Sequence, residues 1–532
     1  MKEAATGETA PDIRDSIKTD EPRSPSVLFA TPGNGPRPES PHTPAFFSDL
    51  HLDQVVEAIT AGKEEYDLKP FYQTLLHDRD TIQYRQEVFR DLEHGSLLES
   101  ITSFAQKMRT MREHLAQAGK LYYPLQKQRW FLEGITVYCD AINQLLHGLL
   151  IPEVHSRGLL SIRDYLARYT ESTAFKSLAV QTEQIRLTLS SIRYSLHIKE
   201  NTITVGKAGA EADYSAVVER TFEKFKQGGV KDYRVKFSRG LDMNHVEAKI
   251  LDLVALHYPE VFEQLDSYCR ENVHYLDETI ARFDREIQFY LSYRQHVERL
   301  KEAGLKVCYP EVSNRTKEVY DYDTYDIALA HNLVKENSQV ITNDFFLNDR
   351  ERIIVVTGPN QGGKTTFART FGQVHYLACL GCPVPGREAR LFLFDGLFTH
   401  FEKEENIHDL RGKLQDDMIR IHDILERATS KSIILINEIF TSTTSQDALS
   451  LSKRILQKIL RLDSLCVWVT FIDELSTMSE KTVSMVSTVV PENPAVRTLK
   501  VLRKPADGLA YAKAIAEKYH LTYELIKERI RP

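Results

Sequence analysis

The sequence predicts a multidomain chain: an all-α front part interrupted by a small α+β module, followed by an α/β domain. Three patterns carry this reading. Apolar residues recur at helical spacing over two long stretches, from Phe46 to about Ser190 and from Asn244 to about Ala303. Between the two, the period drops to that of a strand. Behind them, short apolar strands alternate with helices, which implies a mainly parallel sheet, and one strand runs into a glycine-rich loop.

At 532 residues the chain is too long for one core, and roughly two or three globular units are expected. Apolar residues at 42% and charged residues at 27% fit a core-forming chain. No run of about 18 uncharged apolar residues exists, which excludes a transmembrane helix. The N-terminus lacks an apolar signal segment and the six cysteines are scattered, so a cytoplasmic chain with reduced thiols is expected. Cys379 and Cys382 form a CxxC with no second pair at zinc spacing, and they read as packing behind a helix. The net charge of −7 excludes a generally basic coat, so any nucleic-acid contact must come from a local patch.

Residues 1–45 are rich in Pro, Ser, Thr, Glu and Asp, and Pro22, Pro25, Pro32, Pro36, Pro38, Pro41 and Pro44 block regular structure. A disordered tail is expected there, with Val27-Leu28-Phe29 as a candidate docking run inside it. Residues 46–190 read as a helical core and first arm, with helical patterns at Asp49–Ile59, Gln83–Leu92, Leu97–Ala118, Trp130–Leu150 and Ser161–Ser190. Residues 191–240 form the insertion. Ile192, Tyr194, Leu196 and Ile198 alternate with polar residues, Lys199-Glu200-Asn201 is a turn, and Thr202–Val205 returns. A helix at Tyr214–Gln227 and a third strand at Tyr233–Phe237 complete it. Residues 241–310 read as a returning arm. Asn244–His257 is helical, Pro259 predicts a kink or a fresh start, and Glu260–Ala303 contains no Pro or Gly. An unbroken helix there is a rod of roughly 65 Å. Residues 311–532 form the α/β domain, with strands at Arg352–Val356, Ser432–Ile436 and Leu465–Val469 and a helix at Lys364–Leu380.

Gly358-Pro359-Asn360-Gln361-Gly362-Gly363-Lys364-Thr365 fits the GxxxxGK[ST] phosphate loop in full, after an apolar strand and at the start of a helix. Small residues let backbone N–H groups approach phosphates, and the helix N-terminus adds positive potential. Lys364 is expected to reach the β- and γ-phosphates of ATP and Thr365 to ligate Mg²⁺. Ile433-Ile434-Leu435-Ile436 runs into Asn437-Glu438, the layout of a Walker B strand. Glu438 is expected to polarise water beside the γ-phosphate. Asp is the expected residue at 437, so the metal second shell is weakened, although the Asn437 amide can still bond to metal-bound water.

The motifs of this domain resemble those of the MutS mismatch-repair family. Thr357-Gly358-Pro359-Asn360-x-Gly362-Gly363-Lys364-x-Thr366 is that family's form of the loop. It is followed in family order by Ala378-x-x-Gly381-x-x-Val384-Pro385 and Asp395-x-x-Phe398-Thr399. Ile424-Leu425-x-x-Ala428-Thr429, Glu438-Ile439-x-x-x-Thr443-x-x-x-Asp447-x-Leu449-Ser450, Thr470 and Glu474-Leu475 complete the series. The resemblance implies an ABC-type ATPase domain that dimerises so that each P-loop is covered by the other subunit, with Gly508–Ile530 completing the contact. It also implies that Asn360 lies close to the nucleotide and that Val340 and Ile341 flank the base. Upstream, the Phe46–Leu305 pattern is similar to the family's core, levers and DNA-gripping clamp, with the insertion in the clamp's place.

Departures from the family shape the functional expectation. The chain starts at the core region, so the mismatch-reading domain is expected to be missing, and the Phe-x-Glu at Phe131-Leu132-Glu133 reads as helix core. No nuclease domain is expected behind the ATPase. Gly412 stands near the family's signature serine, Phe471 at its switch histidine, and Val340 at its adenine-stacking aromatic. Nucleotide binding is expected to survive these changes and hydrolysis to be slow. The insertion carries Arg193, Lys199, Lys207, Lys224, Lys226, Lys231, Arg234, Lys236 and Arg239. Lys224, Lys226, Lys231, Arg234 and Lys236 are the candidate contacts to the backbone of double-stranded DNA. The leading expectation is a homodimeric, nucleotide-gated DNA clamp. The rival is a degenerate ATPase that holds ATP as a structural ligand and engages a protein partner.

Overall fold

The computed structural model describes residues 25–30, 43–151, 153–209, 214–223, 243–402, 412–506 and 521–529. It falls into two compact units: one comprises Glu87–Arg294, the other the described residues before and after it. No helix among the described residues is long and apolar enough to cross a membrane.

The Glu87–Arg294 unit is helical. The helices Gly95–Lys120 and Pro124–Leu149 bury Leu97, Ile101, Phe104, Met108 and Met111 on one side and Leu132, Ile135, Ile142 and Leu145 on the other. They approach closely at Gly148, where a Cβ would meet Ser100 Cβ at 2.4 Å. The Phe131 side chain, on the second of these helices, is half-buried rather than in the core and meets the Tyr275 ring edge-on at 5.8 Å between ring centres.

The expected Ser161–Ser190 helix is two helices, Arg157–Glu171 and Thr173–Ser191. Ser172 separates them, and its hydroxyl accepts from Phe175 N–H, the local bond that favours Ser at a helix start over its interior. The expected rod is likewise broken. Pro259–Glu271 ends at Asn272, and a second helix, Glu278–Glu302, starts behind Asp277. The Asp277 carboxylate accepts from Ile280 N–H at 3.0 Å and from the Tyr165 hydroxyl at 2.8 Å, so a capping residue ends the continuity that the absence of Pro and Gly suggested. Pro259 starts a helix, and Asn244 with Glu247 forms a full capping box ahead of His245–His257.

In the insertion, Tyr194–Lys199 pairs with Thr202–Lys207 in antiparallel register, Lys199 opposite Thr202. Glu200 takes φ 54° in the two-residue turn. A helix follows at Tyr214–Glu223. The expected third strand at Tyr233–Phe237 lies outside the described residues.

The other unit is built on a six-stranded sheet. Its strands in chain order are β1 (Ile353–Thr357), β2 (Leu397–His400), β3 (Ile433–Asn437), β4 (Leu465–Val469), β5 (Thr482–Val490) and β6 (Asn493–Arg503). They lie in the order β2-β3-β4-β1-β5-β6, parallel except for β6. β1, β3 and β4 are buried throughout, the continuous apolar pattern of strands covered on both faces. A second sheet sets Glu311–Ser313, Glu388–Phe392, Val319–Thr324 and Asn343–Leu347 side by side in that order.

Two expected boundaries move. Residues 43–86 belong with the sheet unit, not with the helical core that was expected to begin at Phe46. Phe47 packs edge-on against Tyr376 at 5.3 Å, the Tyr376 hydroxyl donates to Tyr72 O at 2.6 Å, and Gln373 Nε2 donates to Leu50 O at 2.9 Å. The expected solvated tail also departs from the structure at residues 25–30. Val27, Leu28 and Phe29 are buried. Ser26 Oγ accepts from Leu28 and Phe29 N–H, the Tyr84 hydroxyl donates to Ser26 O at 2.6 Å, and Arg85 Nε donates to Leu28 O at 3.1 Å. The apolar run outweighs its proline-rich surroundings because each polar atom named here finds a partner in the seat.

Candidate functional site

β1 runs into the phosphate loop, and the helix Lys364–Cys379 leaves it. The loop needs residues free of a Cβ for two reasons. Gly358 and Gly363 take φ 118° and 89°, in the left-handed region, joined by Gln361 at 59°. A Cβ on Gly358 or Gly362 would also meet the Ser487 hydroxyl of β5 at 2.5 Å. The β5–β6 hairpin therefore backs the loop. Arg497 Nε donates to Asn360 O at 3.0 Å, and the Leu499 carbonyl lies 3.4 Å from where a Gly363 Cβ would stand. Ser487, Arg497 and Leu499 are site residues that the motif reading missed. They come from a distant strand pair whose pattern gives no local sign of the loop.

β3 ends two strands from β1, with β4 between them. Thr365 Oγ1 donates to Asn437 Oδ1 at 2.9 Å, and Lys364 Nζ lies 3.6 Å from Glu438 Oε1. Glu438 takes φ 52° and its N–H donates to Val469 O at 3.0 Å, which holds the turn after β3 against the end of β4. Behind this turn, Phe440 N–H donates to Asp417 Oδ2 at 3.2 Å, and His400 Nε2 lies 3.3 Å from the other Asp417 oxygen. The Lys364 ammonium also donates to Gly358 O at 3.2 Å and Pro359 O at 3.1 Å. Burial lowers its pKa, partly offset by the Glu438 carboxylate.

The structure thus brings Gly358, Pro359, Asn360, Gln361, Gly362, Gly363, Lys364, Thr365, Asn437 and Glu438 to one place. Thr366 lies in the first turn of the helix behind the loop, and its carbonyl accepts from Thr370 Oγ1. Val340 and Ile341 lie in the segment before Asn343–Leu347. That segment is tied to β6 next to the loop: Asn343 Nδ2 donates to Leu499 O at 3.3 Å, and Lys500 Nζ donates to Thr342 O. Gly412 precedes the helix Lys413–Arg427 and is exposed. Phe471 follows β4 with its ring over Lys364. Cys379 and Cys382 are buried free thiols behind the loop helix, and burial pushes the Cys379 pKa up to about 12. Lys224, Lys226, Lys231, Arg234 and Lys236 lie outside the described residues.

A phosphate loop at the end of a central parallel strand, an acid-bearing strand two places away and a threonine hydroxyl joining the two define a P-loop nucleotide-hydrolase domain. Residues 354–528 match the family model described as MutS domain V, an ABC-type ATPase domain. The chain is 27% identical over 199 residues to the DNA mismatch repair protein MutS of Thermotoga maritima, covering 37% of this chain and 25% of that protein. It is 29% identical over 176 residues to MutS of Petrotoga mobilis, covering 33% and 20%. Over 139 residues it is 30% identical to the DNA mismatch repair protein Msh3 of Mus musculus, covering 26% and 13%. The matched stretch therefore spans a quarter or less of each relative's length.

Proposed function

We propose that this chain is a MutS-type, ATP-binding protein that acts as a nucleotide-gated dimeric clamp on double-stranded DNA, without reading mismatches directly. The observation that supports it best is the convergence of Lys364, Thr365, Asn437 and Glu438 from two non-adjacent strand ends onto one loop. The donor set fits ATP with Mg²⁺. Thr365 and Asn437 offer adjacent hard oxygen atoms that would hold the ion, and a bound Mg²⁺ supplies charge to the phosphate oxygens. The loop N–H groups and the helix N-terminus cradle the phosphates, Lys364 neutralises them, and Glu438 orients water. Val340 and Ile341 flank the base. Two such domains face each other; of the stretch Gly508–Ile530, expected to aid that contact, residues 508–520 and 530 lie outside the described residues. The relatives' mismatch-repair names support DNA as the polyanion that the basic insertion meets.

Replacing Lys364 by Ala removes the charge that meets the phosphates, and ATP affinity is expected to fall about tenfold or more. Nucleotide titration with unchanged affinity sinks the assignment. A second reading, an ATP-bound scaffold for a protein partner, is favoured by the neutral Asn437 and by the aromatic contact on Lys364. Steady-state turnover with and without DNA separates the two: stimulation by DNA supports the clamp.

A further inference from the structure

The P-loop lysine is enclosed on several sides. Lys364 is only 4% exposed, and its ammonium is closed in by two loop carbonyls, the Glu438 carboxylate and the ring of Phe471, whose centroid lies 4.3 Å away. The face of an aromatic ring attracts a cation at this distance. The residue is 51% exposed, but its backbone is fixed on both sides. Thr470 N–H donates to Val356 O at 3.0 Å, which ties the end of β4 to β1. Ile472 N–H donates to Thr470 Oγ1 at 3.1 Å, and Leu475 is buried just beyond. Phe471 is therefore presented to Lys364 by anchored neighbours.

The phosphates of a nucleotide meet this arrangement unequally. The β-phosphate belongs in the cradle of loop N–H groups. The γ-phosphate lies outside it, on the side of the strand ends, where Lys364, Glu438 and Phe471 meet. A phenyl ring has no donor to offer a phosphate oxygen, and its electron-rich face repels an anion. The third phosphate must displace the ring to reach the ammonium, and it receives no hydrogen bond from residue 471 in return.

We propose that Phe471 is a specificity-determining residue that caps the P-loop lysine and sets the site to hold a nucleoside diphosphate at least as tightly as a triphosphate. This rests on the nucleotide-binding reading above and adds the regulation of that site: arrival of the triphosphate is coupled to release of the segment that follows β4.

The test is equilibrium binding of ADP and of adenosine 5′-thiotriphosphate to the full chain with Mg²⁺, by calorimetry. Wild type is expected to bind the diphosphate as well as or better than the triphosphate analogue. Phe471→Ala should raise analogue affinity about tenfold while leaving ADP nearly unchanged. Hydrogen exchange on wild type supplies a readout that needs no variant: amides of Thr470–Met478 should exchange faster with the analogue than with ADP. An unchanged ratio in Phe471→Ala, or equal exchange with both nucleotides, overturns the proposal while leaving nucleotide binding intact. If wild type binds neither nucleotide, the reading of the site falls, and this proposal with it.

Discussion

At position 437 the chain places an amide where a carboxylate would add charge beside a divalent cation. Asn437 Oδ1 accepts from Thr365 Oγ1, so the oxygen is in position and only its charge is missing. Charge–charge interactions in a partly buried site are strong. Asn437→Asp is therefore expected to lower the Mg²⁺ needed for half-maximal phosphate release by roughly fivefold or more, read from a magnesium titration. Glu438→Ala should abolish what turnover there is. A wild type already fast and saturated at low Mg²⁺ contradicts the first expectation, and activity surviving Glu438→Ala contradicts the second. A different carboxyl contributes a pH dependence to stability. Asp321, in the second sheet, is fully buried, and burial holds its pKa well above the usual carboxylate range, with Asp344 and Asp323 adding to the shift. The unfolded chain loses this proton at about pH 4 while the fold retains it, so stability falls as pH rises toward the raised pKa. Asp321→Asn should remove that slope and stabilise the protein near neutral pH by on the order of 1–2 kcal/mol, measured by denaturant melts across pH. The phosphate loop could be read from sequence because all its residues are consecutive. Ser487, Arg497 and Leu499 could not, because only the sheet order β1-β5-β6 brings them to the loop.

Among the elements, helices and strands with a strong apolar period follow the sequence closely: Leu465–Val469 is a strand as expected, and the loop helix ends one residue early, at Cys379. Breaks made by a single polar cap do not. Ser172 and Asp277 interrupt apolar patterns that continue on either side, and only their side-chain bonds to Phe175 and Ile280 N–H explain the stops. The N-terminal segment Ser26–Phe29 shows the reverse case, where composition points to a tail and four residues make a seat. Arg85 is 1% exposed and joins the segment to the loop helix's end. Its Nε donates to Leu28 O, one terminal nitrogen donates to Leu380 O at 2.9 Å, and its guanidinium lies 5.1 Å from the centre of the Phe29 ring. Gly381 permits this approach, since a Cβ there would meet Arg85 Cβ at 2.8 Å. Leu28→Ala and Arg85→Ala are each expected to cost about 2–4 kcal/mol in denaturant melts, one by a cavity and the other by stranding buried carbonyls. Because both act on the same seat, the double variant should cost less than the sum. Strict additivity would show that the segment is not held by Arg85.

At the scale of the whole molecule, the order of a helical region followed by an α/β domain was legible, but the division between units was not. Contacts such as Phe47 with Tyr376 join residues far apart in sequence, and no composition change marks Gln86 as a boundary. Charge distribution is the remaining whole-molecule property with functional weight. The chain carries −7 overall, yet the insertion concentrates Lys224, Lys226, Lys231, Arg234 and Lys236 within a short stretch. On the proposed DNA-binding reading, this basic stretch meets the polyanion by releasing its counterions, so affinity should fall steeply with salt. Contacts to phosphate carry no sequence information, so a single mispair should bind like homoduplex. Replacing Lys224, Lys226, Lys231 and Lys236 together by Glu is expected to weaken binding to all duplexes by a similar factor. It should also flatten the plot of log affinity against log salt by about one unit for each phosphate that is no longer neutralised. Fluorescence anisotropy at several salt concentrations, with matched and mispaired duplexes, gives both quantities. A preference for the mispair at fixed salt would mean that bases are read by residues outside this patch. A salt slope untouched by the four substitutions would move the DNA-binding surface away from the insertion and leave the protein-partner reading as the stronger account of the arms.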